Sequence, residues 1–260
     1  MGIDVDKMRA KLANVRGEGG DRDTFWRPND GEQSIRIVPT SDGDPFKEKW
    51  FHYNLGTNPG FLCPKRNYGD ECPVCDFASQ IWREGVEADD NESKKLAKSL
   101  FVRARFFSPV MVRGEEDKGV RIWGYGKTAY ENLLTLVLNP EYGDITDPET
   151  GTDLTMVYGK PPGASFPQTK LTPRRRSSEL CEDMTPDKCT ELLESIPDFD
   201  TLFERKTTEQ VGTMLDAFVN GGVEDAESVS SETHKYNSTA TTTTEDTNPV
   251  DAAFAELGAL

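Results

Sequence analysis

The sequence predicts a mixed α+β protein, mainly β, with a cysteine-bearing insertion and an acidic tail. Three observations point there. Residues 101–112 and 120–125 are rich in aromatic and β-branched side chains and flank a polar turn bounded by Gly114 and Gly119, the pattern of a β-hairpin. Residues 51–82 carry cysteine, glycine and proline with little apolar periodicity, so something other than a hydrophobic core must order them. Beyond Gly222 the chain turns acidic and low in complexity. The expected divisions are a helical arm over 1–22, a core over 23–222 with a subdomain at about 51–82, and a tail over 223–260.

In chain order, Val5, Met8, Leu12 and Val15 recur at helical spacing and give the arm a short amphipathic helix, ended by Gly17, Gly19 and Gly20. Residues 35–38 alternate as a strand stopped by Pro39. After the hairpin, Tyr130, Leu133, Leu134, Val137 and Leu138 mark a helix over 128–138, stopped by Asn139-Pro140. A short strand at 154–158 follows a turn-rich acidic stretch, and helical segments cover 186–195, 199–203 and 208–219. In the tail, Glu224, Asp225, Glu227, Glu232, Glu245, Asp246, Asp251 and Glu256 face a single lysine, Lys235, so the segment is expected to be disordered. Val250, Phe254, Leu257 and Leu260 at its end could line one side of a helix formed on a partner protein.

Composition narrows the function. With 30 Lys plus Arg against 46 Asp plus Glu the net charge is -16, so any anion-binding site must be a local patch. No run approaches the roughly 20 apolar residues of a membrane helix, and the first six residues lack an apolar signal core. A cytosolic protein is expected, with its five cysteines as thiols or metal ligands rather than a disulfide framework. A Gly-x-x-x-x-Gly-Lys phosphate loop and a recognisable nucleophile–base pair are both lacking.

His52, Cys63, Cys72 and Cys75 form a His-x10-Cys-x8-Cys-x2-Cys series. Zinc suits three thiolates and one imidazole, with the close pair Cys72-Pro73-Val74-Cys75 chelating from one tight turn. A closed site of four protein ligands is structural, leaving no position for a catalytic water. A deaminase would need a His-x-Glu segment, whereas His52 precedes Tyr53-Asn54. Cys181 and Cys189 have no histidine nearby and are expected to be non-ligands.

Between 101 and 130, Arg103, Arg105, Arg113, Lys118, Arg121 and Lys127 interleave with Phe101, Phe106, Phe107, Trp123, Tyr125 and Tyr130. Cations that follow a phosphate backbone and rings that stack on bases are what single-stranded nucleic acid requires. Arg103, Arg105 and Phe107 share one parity in their strand, and Arg121, Trp123 and Tyr125 share one in theirs, which is expected to put cations and rings on one face. The same alternation would arise if the rings were sheet core and the arginines a solvated face. Lys170 with Arg174, Arg175 and Arg176 forms a second basic cluster in an expected loop, one wall of a positive channel.

Several short stretches together resemble the single-stranded-DNA-binding, helix-destabilising protein of T-even-type tailed phages. They are Met8 with Ala10-Lys11-Leu12; Gly31 with Ile35-Arg36 and Pro39; the cysteine series ending Asp70-Glu71-Cys72-Pro73-Val74-Cys75; Phe106-Phe107; and Tyr125-Gly126-Lys127 opening a helix. The resemblance spans roughly 5–222. It implies an oligonucleotide/oligosaccharide-binding (OB-fold) barrel with a zinc subdomain beside it, the two forming a positive cleft for the strand. It also implies one structural Zn2+ on His52, Cys63, Cys72 and Cys75, aromatic DNA contacts at Phe106, Phe107 and Trp123, and charge from Arg36, Arg103, Arg105, Arg121 and Lys127. Such a protein coats single-stranded DNA in phage replication, recombination and repair, in the cytoplasm of the infected bacterial host. Its acidic tail binds replication and recombination proteins, here through Phe254, Leu257 and Leu260. In the family a Lys/Arg-Ser-Thr type arm joins neighbouring molecules along DNA. Met1-Gly2-Ile3-Asp4-Val5-Asp6 departs from it, so self-association would fall to Lys7, Arg9 and Lys11. The alternative is a zinc-ribbon adaptor that binds replication or transcription proteins.

Overall fold

A computed structural model describes residues 24–182 and 184–220. The expected arm helix and the tail positions Phe254, Leu257 and Leu260 lie outside the described residues. Among those described are eight strands, six α-helices and a 3-10 turn, and no helix is long and apolar enough to cross a membrane. The chain divides into two compact units, one holding residues 24–49 and 104–203, the other 50–103 and the described residues from 204 onward.

The first unit is built on a sheet. Its strands are β1 (Phe25–Trp26), β2 (Gly31–Ile37), β5 (Arg103–Val112, entering from the other unit at Arg103), β6 (Arg121–Tyr125), β7 (Leu154–Gly159) and β8 (Gln168–Pro173). They are hydrogen-bonded in the order β1-β6-β5-β2-β7-β8, with β1 and β8 at the ends of the path. β5 and β6 form the expected hairpin around a 3-10 turn at Glu116–Lys118, in the register Phe106↔Tyr125, Ser108↔Trp123, Val110↔Arg121. Helix α4 (Lys127–Val137) sinks Ala129 and Leu133, four residues apart, into a core with Ile35, Val110, Trp123 and Met156.

β1 and β8 differ from expectation. Two-residue β1 is too short to show a period, and β8 alternates polar side chains around one buried leucine, Leu171. Lys170 therefore belongs to a strand, paired with Val157, and not to a loop. Residues 199–203, expected to be helical, form turns in which Phe203 packs on Phe25 and Phe107. Helix α5 (Pro186–Glu194) is as expected, but Cys181 and Cys189 are not thiols: a disulfide joins them. Leu180 and Leu192 are buried in one small cluster with Val38 and Met111, and their packing draws the two cysteines to a Cα–Cα distance of 5.8 Å.

The second unit begins in β3 (Lys47–His52), from Trp50 onward, which pairs with β4 (Phe61–Leu62) through Phe51↔Leu62 and His52↔Phe61. Helices α1 (Pro64–Tyr68), α2 (Pro73–Glu87), α3 (Asn91–Leu100) and α6 (Thr208–Val219) complete it. Most of the 15-residue helix α2 thus falls in the stretch that lacked periodicity, because it buries only Val74, Ala78 and Gly85. Its missing apolar partners come from elsewhere in the sequence: Leu100 on α3, and Val211 and Leu215 on α6. Asp90 caps α3 by accepting from the Glu92 amide, and Thr207 and Gln210 close a capping box on α6.

Candidate metal centre and nucleic-acid interface

Each cysteine ligand position is set by a helix start. Cys63 is the N-cap of α1 and Cys72 that of α2, and a proline follows each at the first helical position, where its fixed φ suits the turn. Cys75 is then one turn into α2, beside Cys72. His52 arrives at the end of β3, and Asn67 ties that strand to α1, donating to Trp50 O at 2.7 Å and to Cys63 O at 2.9 Å. The four ligand atoms lie within 4.8 Å of one another. His52 Nε2 is 3.4 Å from Cys72 Sγ and 3.3 Å from Cys75 Sγ, and Cys63 Sγ is 3.5 Å from Cys75 Sγ. A tetrahedral ion with bonds of about 2.0–2.3 Å sets its ligands about 3.5–3.8 Å apart, so the residues fit one.

The donor set is oriented as well as gathered. His52 Nδ1 donates to Leu100 O at 2.9 Å, which fixes the tautomer and leaves Nε2 for the ion. His52, Cys63 and Cys72 are buried and Cys75 is half-buried. Burial disfavours the imidazolium, but the Cys63 and Cys72 sulfurs beside it outweigh that and hold its pKa up to about 9. Hydrogen bonds from the other sulfurs push the Cys63 thiol down, and the same contacts push Cys75 up. All three sulfurs could stand here as thiolates only with a cation among them.

The residues expected to meet DNA fall into two groups. Trp123 is 1% exposed, and Phe106, Phe107 and Tyr125 are buried with it. Trp123 packs on Trp26 and Tyr125, Phe106 stacks on Tyr130 at 3.8 Å, and Phe107 meets Phe25 and Phe203. Arg105 and Arg121 are buried too, Arg121 donating to Glu115 at 2.6 Å. Arg36 is buried completely. These side chains, expected as surface contacts, are internal in this structure, because the rings gain more from apolar burial than from solvent. The parity within each strand holds, yet the two sets lie on opposite faces. Residues paired across the hairpin share a face, so Trp123 and Tyr125 go with Ser108 and Phe106, while Phe107 lies over Gly124, where a Cβ would stand 3.0 Å from its ring.

The second group is at the surface. Lys127 is exposed at the start of α4, ion-paired to Glu131 at 3.5 Å, and Arg174, Arg175 and Arg176 are exposed after β8; Arg103 is half-buried. The sequence did not single out three half-buried rings in the second unit, each with a cation over its face: Arg66 on Trp50 at 5.0 Å, Arg205 on Tyr68 at 4.2 Å, and Lys98 on Trp82 at 5.5 Å. Their signal was the metal series itself, since Trp50 and Tyr68 lie within five residues of a ligand.

The family described as gp32 DNA binding protein like matches residues 29–219. The chain belongs to this family. It is a family of DNA-binding proteins and not of enzymes, and the match supports single-stranded DNA binding. The matched residues include all four members of the metal cluster and the Arg174 to Arg176 run. No curated protein matches the chain.

Proposed function

We propose that this protein coats single-stranded DNA without sequence preference, with one structural zinc ion on His52, Cys63, Cys72 and Cys75. The observation that carries the reading is the family match, which runs through both the sheet and the metal cluster. Three thiolates and an imidazole in a closed, mostly buried site favour zinc over harder cations. Phosphate contacts fall to the surface cations Lys127, Arg103, Arg174, Arg175 and Arg176, and base stacking to Trp50, Tyr68 and Trp82, whose faces already accept a cation. In this reading the sheet is an OB-type barrel, and the protein serves phage replication, recombination and repair in the cytoplasm of the infected host. Its acidic tail docks replication and recombination proteins through Phe254, Leu257 and Leu260, and its arm associates with neighbouring molecules through Lys7, Arg9 and Lys11.

The test is a titration of fluorescent oligo-dT at several salt concentrations, with a duplex of equal length as control. Nanomolar to micromolar binding is expected, with log K falling against log salt by about 0.7 for each phosphate contact. Equal affinity for the duplex, or no binding of oligo-dT, overturns the reading.

A further inference from the structure

The run Arg174-Arg175-Arg176 leaves β8 at the surface, yet its backbone is held on both sides. Arg174 N donates to Asp153 O at 2.9 Å and Ser178 N to Gly151 O at 3.1 Å. Beneath it lies a network of buried charge. Arg36 reaches Asp153 Oδ1 and Ser178 Oγ through Nη1, each at 3.3 Å, and Asp147 O at 2.7 Å and Ser178 O at 2.9 Å through Nη2. Arg113 grips the same carboxylate through Nε and Nη2, and donates to Leu180 O at 3.0 Å and Glu179 O at 2.7 Å. Gly151 makes room for this packing, since a Cβ there would stand 2.6 Å from Arg36 Nη2.

Two guanidinium groups share one buried carboxylate, so this hub places positive charge under the loop. Apolar side chains of similar volume would often stabilise a core as well as such a hub does, but they would not grip named backbone atoms. Four of the hub's bonds end on residues 178–180, just past the arginines and Ser177. A cavity of about 360 Å³ opens there, lined by Asp153, the three arginines, Ser177 and Ser178. Ser178 Oγ accepts from Arg36, which leaves its own proton to donate outward.

We infer that Arg36, Asp153 and Arg113 are positioning residues for a backbone-phosphate site made by Arg174, Arg175 and Arg176 with the hydroxyls of Ser177 and Ser178. The inference rests on the single-stranded DNA reading and adds to it where a strand's phosphates are held and what holds the loop ready. A loop fixed before binding loses less conformational freedom when the phosphates arrive.

Four proteins are titrated with fluorescein-labelled oligo-dT at low and moderate salt, each with a thermal melt: the full chain, Arg113→Lys, a triple variant with Arg174→Ser, Arg175→Ser and Arg176→Ser, and the combination. The triple variant is expected to bind about tenfold or more weakly at low salt, with the salt slope flatter by about two. Arg113→Lys is expected to weaken binding about three- to tenfold in the full chain and hardly at all in the triple background, since only a loop that still carries arginines can be mispositioned. Equal loss in both backgrounds, or no loss beside a weakened triple variant, overturns the inference. If the triple variant binds as the full chain does, the phosphate site is wrong while the single-stranded DNA reading stands; if the full chain does not bind oligo-dT, that reading itself fails. Should Arg113→Lys not fold, two glycines inserted after Arg176 slacken the loop without removing charge. A similar three- to tenfold loss is expected, and unchanged affinity overturns the proposal.

Discussion

In the sheet unit the centre is filled by rings: Trp123 lies 6.4 Å from Trp26 and 4.3 Å from Tyr125, centroid to centroid, and none of the three reaches solvent appreciably. In the other unit three sulfurs and an imidazole are buried together, and Trp50, Tyr68 and Trp82 stay half-exposed under cations. The four tryptophans therefore have opposite fates, although the second unit buries Phe51, Tyr53 and Phe61. Where apolar area alone must hold the unit, Trp26 and Trp123 are consumed by the core; where a cluster that could hold an ion is buried instead, Trp50 and Trp82 remain near the surface.

The largest effect that would break this comparison is on the metal. Elemental analysis of protein purified without added metal is expected to give one zinc per chain. Cys72→Ala or chelation should remove folding free energy on the order of 10 kcal/mol from that unit, exposing 50–103 to protease while the sheet unit survives. Absence of zinc, or undiminished protease resistance in Cys72→Ala, would leave the apolar partners Leu100, Val211 and Leu215 as sufficient by themselves.

Next comes the exchange of tryptophans. Trp123→Ala is expected to cost about 3–5 kcal/mol of stability, as a buried ring does. Trp50→Ala and Trp82→Ala should melt close to the parent and lose about 1–3 kcal/mol of single-stranded DNA affinity, with an unchanged salt slope because stacking releases no counterions. A folded Trp123→Ala protein with weakened DNA binding would reverse the assignment and return the stacking face to the hairpin.

The disulfide gives a smaller effect confined to the sheet unit. Cys189→Ser should lower stability by about 2 kcal/mol, since the bridge closes a short loop, and leave the zinc content unchanged. Zinc loss on this substitution would show that the two cysteine sets are not independent.

The smallest effect is one of pH, and its sign differs between the units. Burial raises the Tyr125 pKa, and its hydroxyl is 2.7 Å from Ser108 Oγ. The unfolded tyrosine ionises near pH 10 and the folded one does not, so above about pH 10 the unfolded state binds fewer protons and stability falls as pH rises. The metal unit fails in the opposite direction, because protons compete with the ion for thiolate and imidazole. Tyr125→Phe should remove the alkaline loss at a cost of about 1 kcal/mol at neutral pH, as Ser108 is left without that partner. The difference in absorbance between the parent and Tyr125→Phe during alkaline titration checks it: a difference that titrates near pH 10 in folded protein would contradict the burial.

The metal cluster was legible because ligand chemistry is written in residue type and short spacing: two Cys-Pro steps start two helices and bring Cys63, Cys72 and Cys75 together almost locally. The β5–β6 hairpin and helices α4, α5 and α6 were legible for the same reason, each having a period of its own. Alternation likewise placed Arg105 with Phe107 and Trp123 with Tyr125, but a period says only which side chains share a face. Which face is covered depends on Trp26, Ala129, Leu133 and Phe203, and whether the two sets share a side depends on the register of the hairpin. Short β1 and the polar strand β8 carry too little apolar pattern to announce themselves, and the disulfide follows from the joint burial of Leu180 and Leu192. The pattern least visible in sequence is Arg36, Arg113, Asp153 and Ser178, residues from four segments that meet around one buried carboxylate. Local chemistry fixed the ligands and the periods; only the packing of distant segments decided which cations are buried in the hub and which lie at the surface.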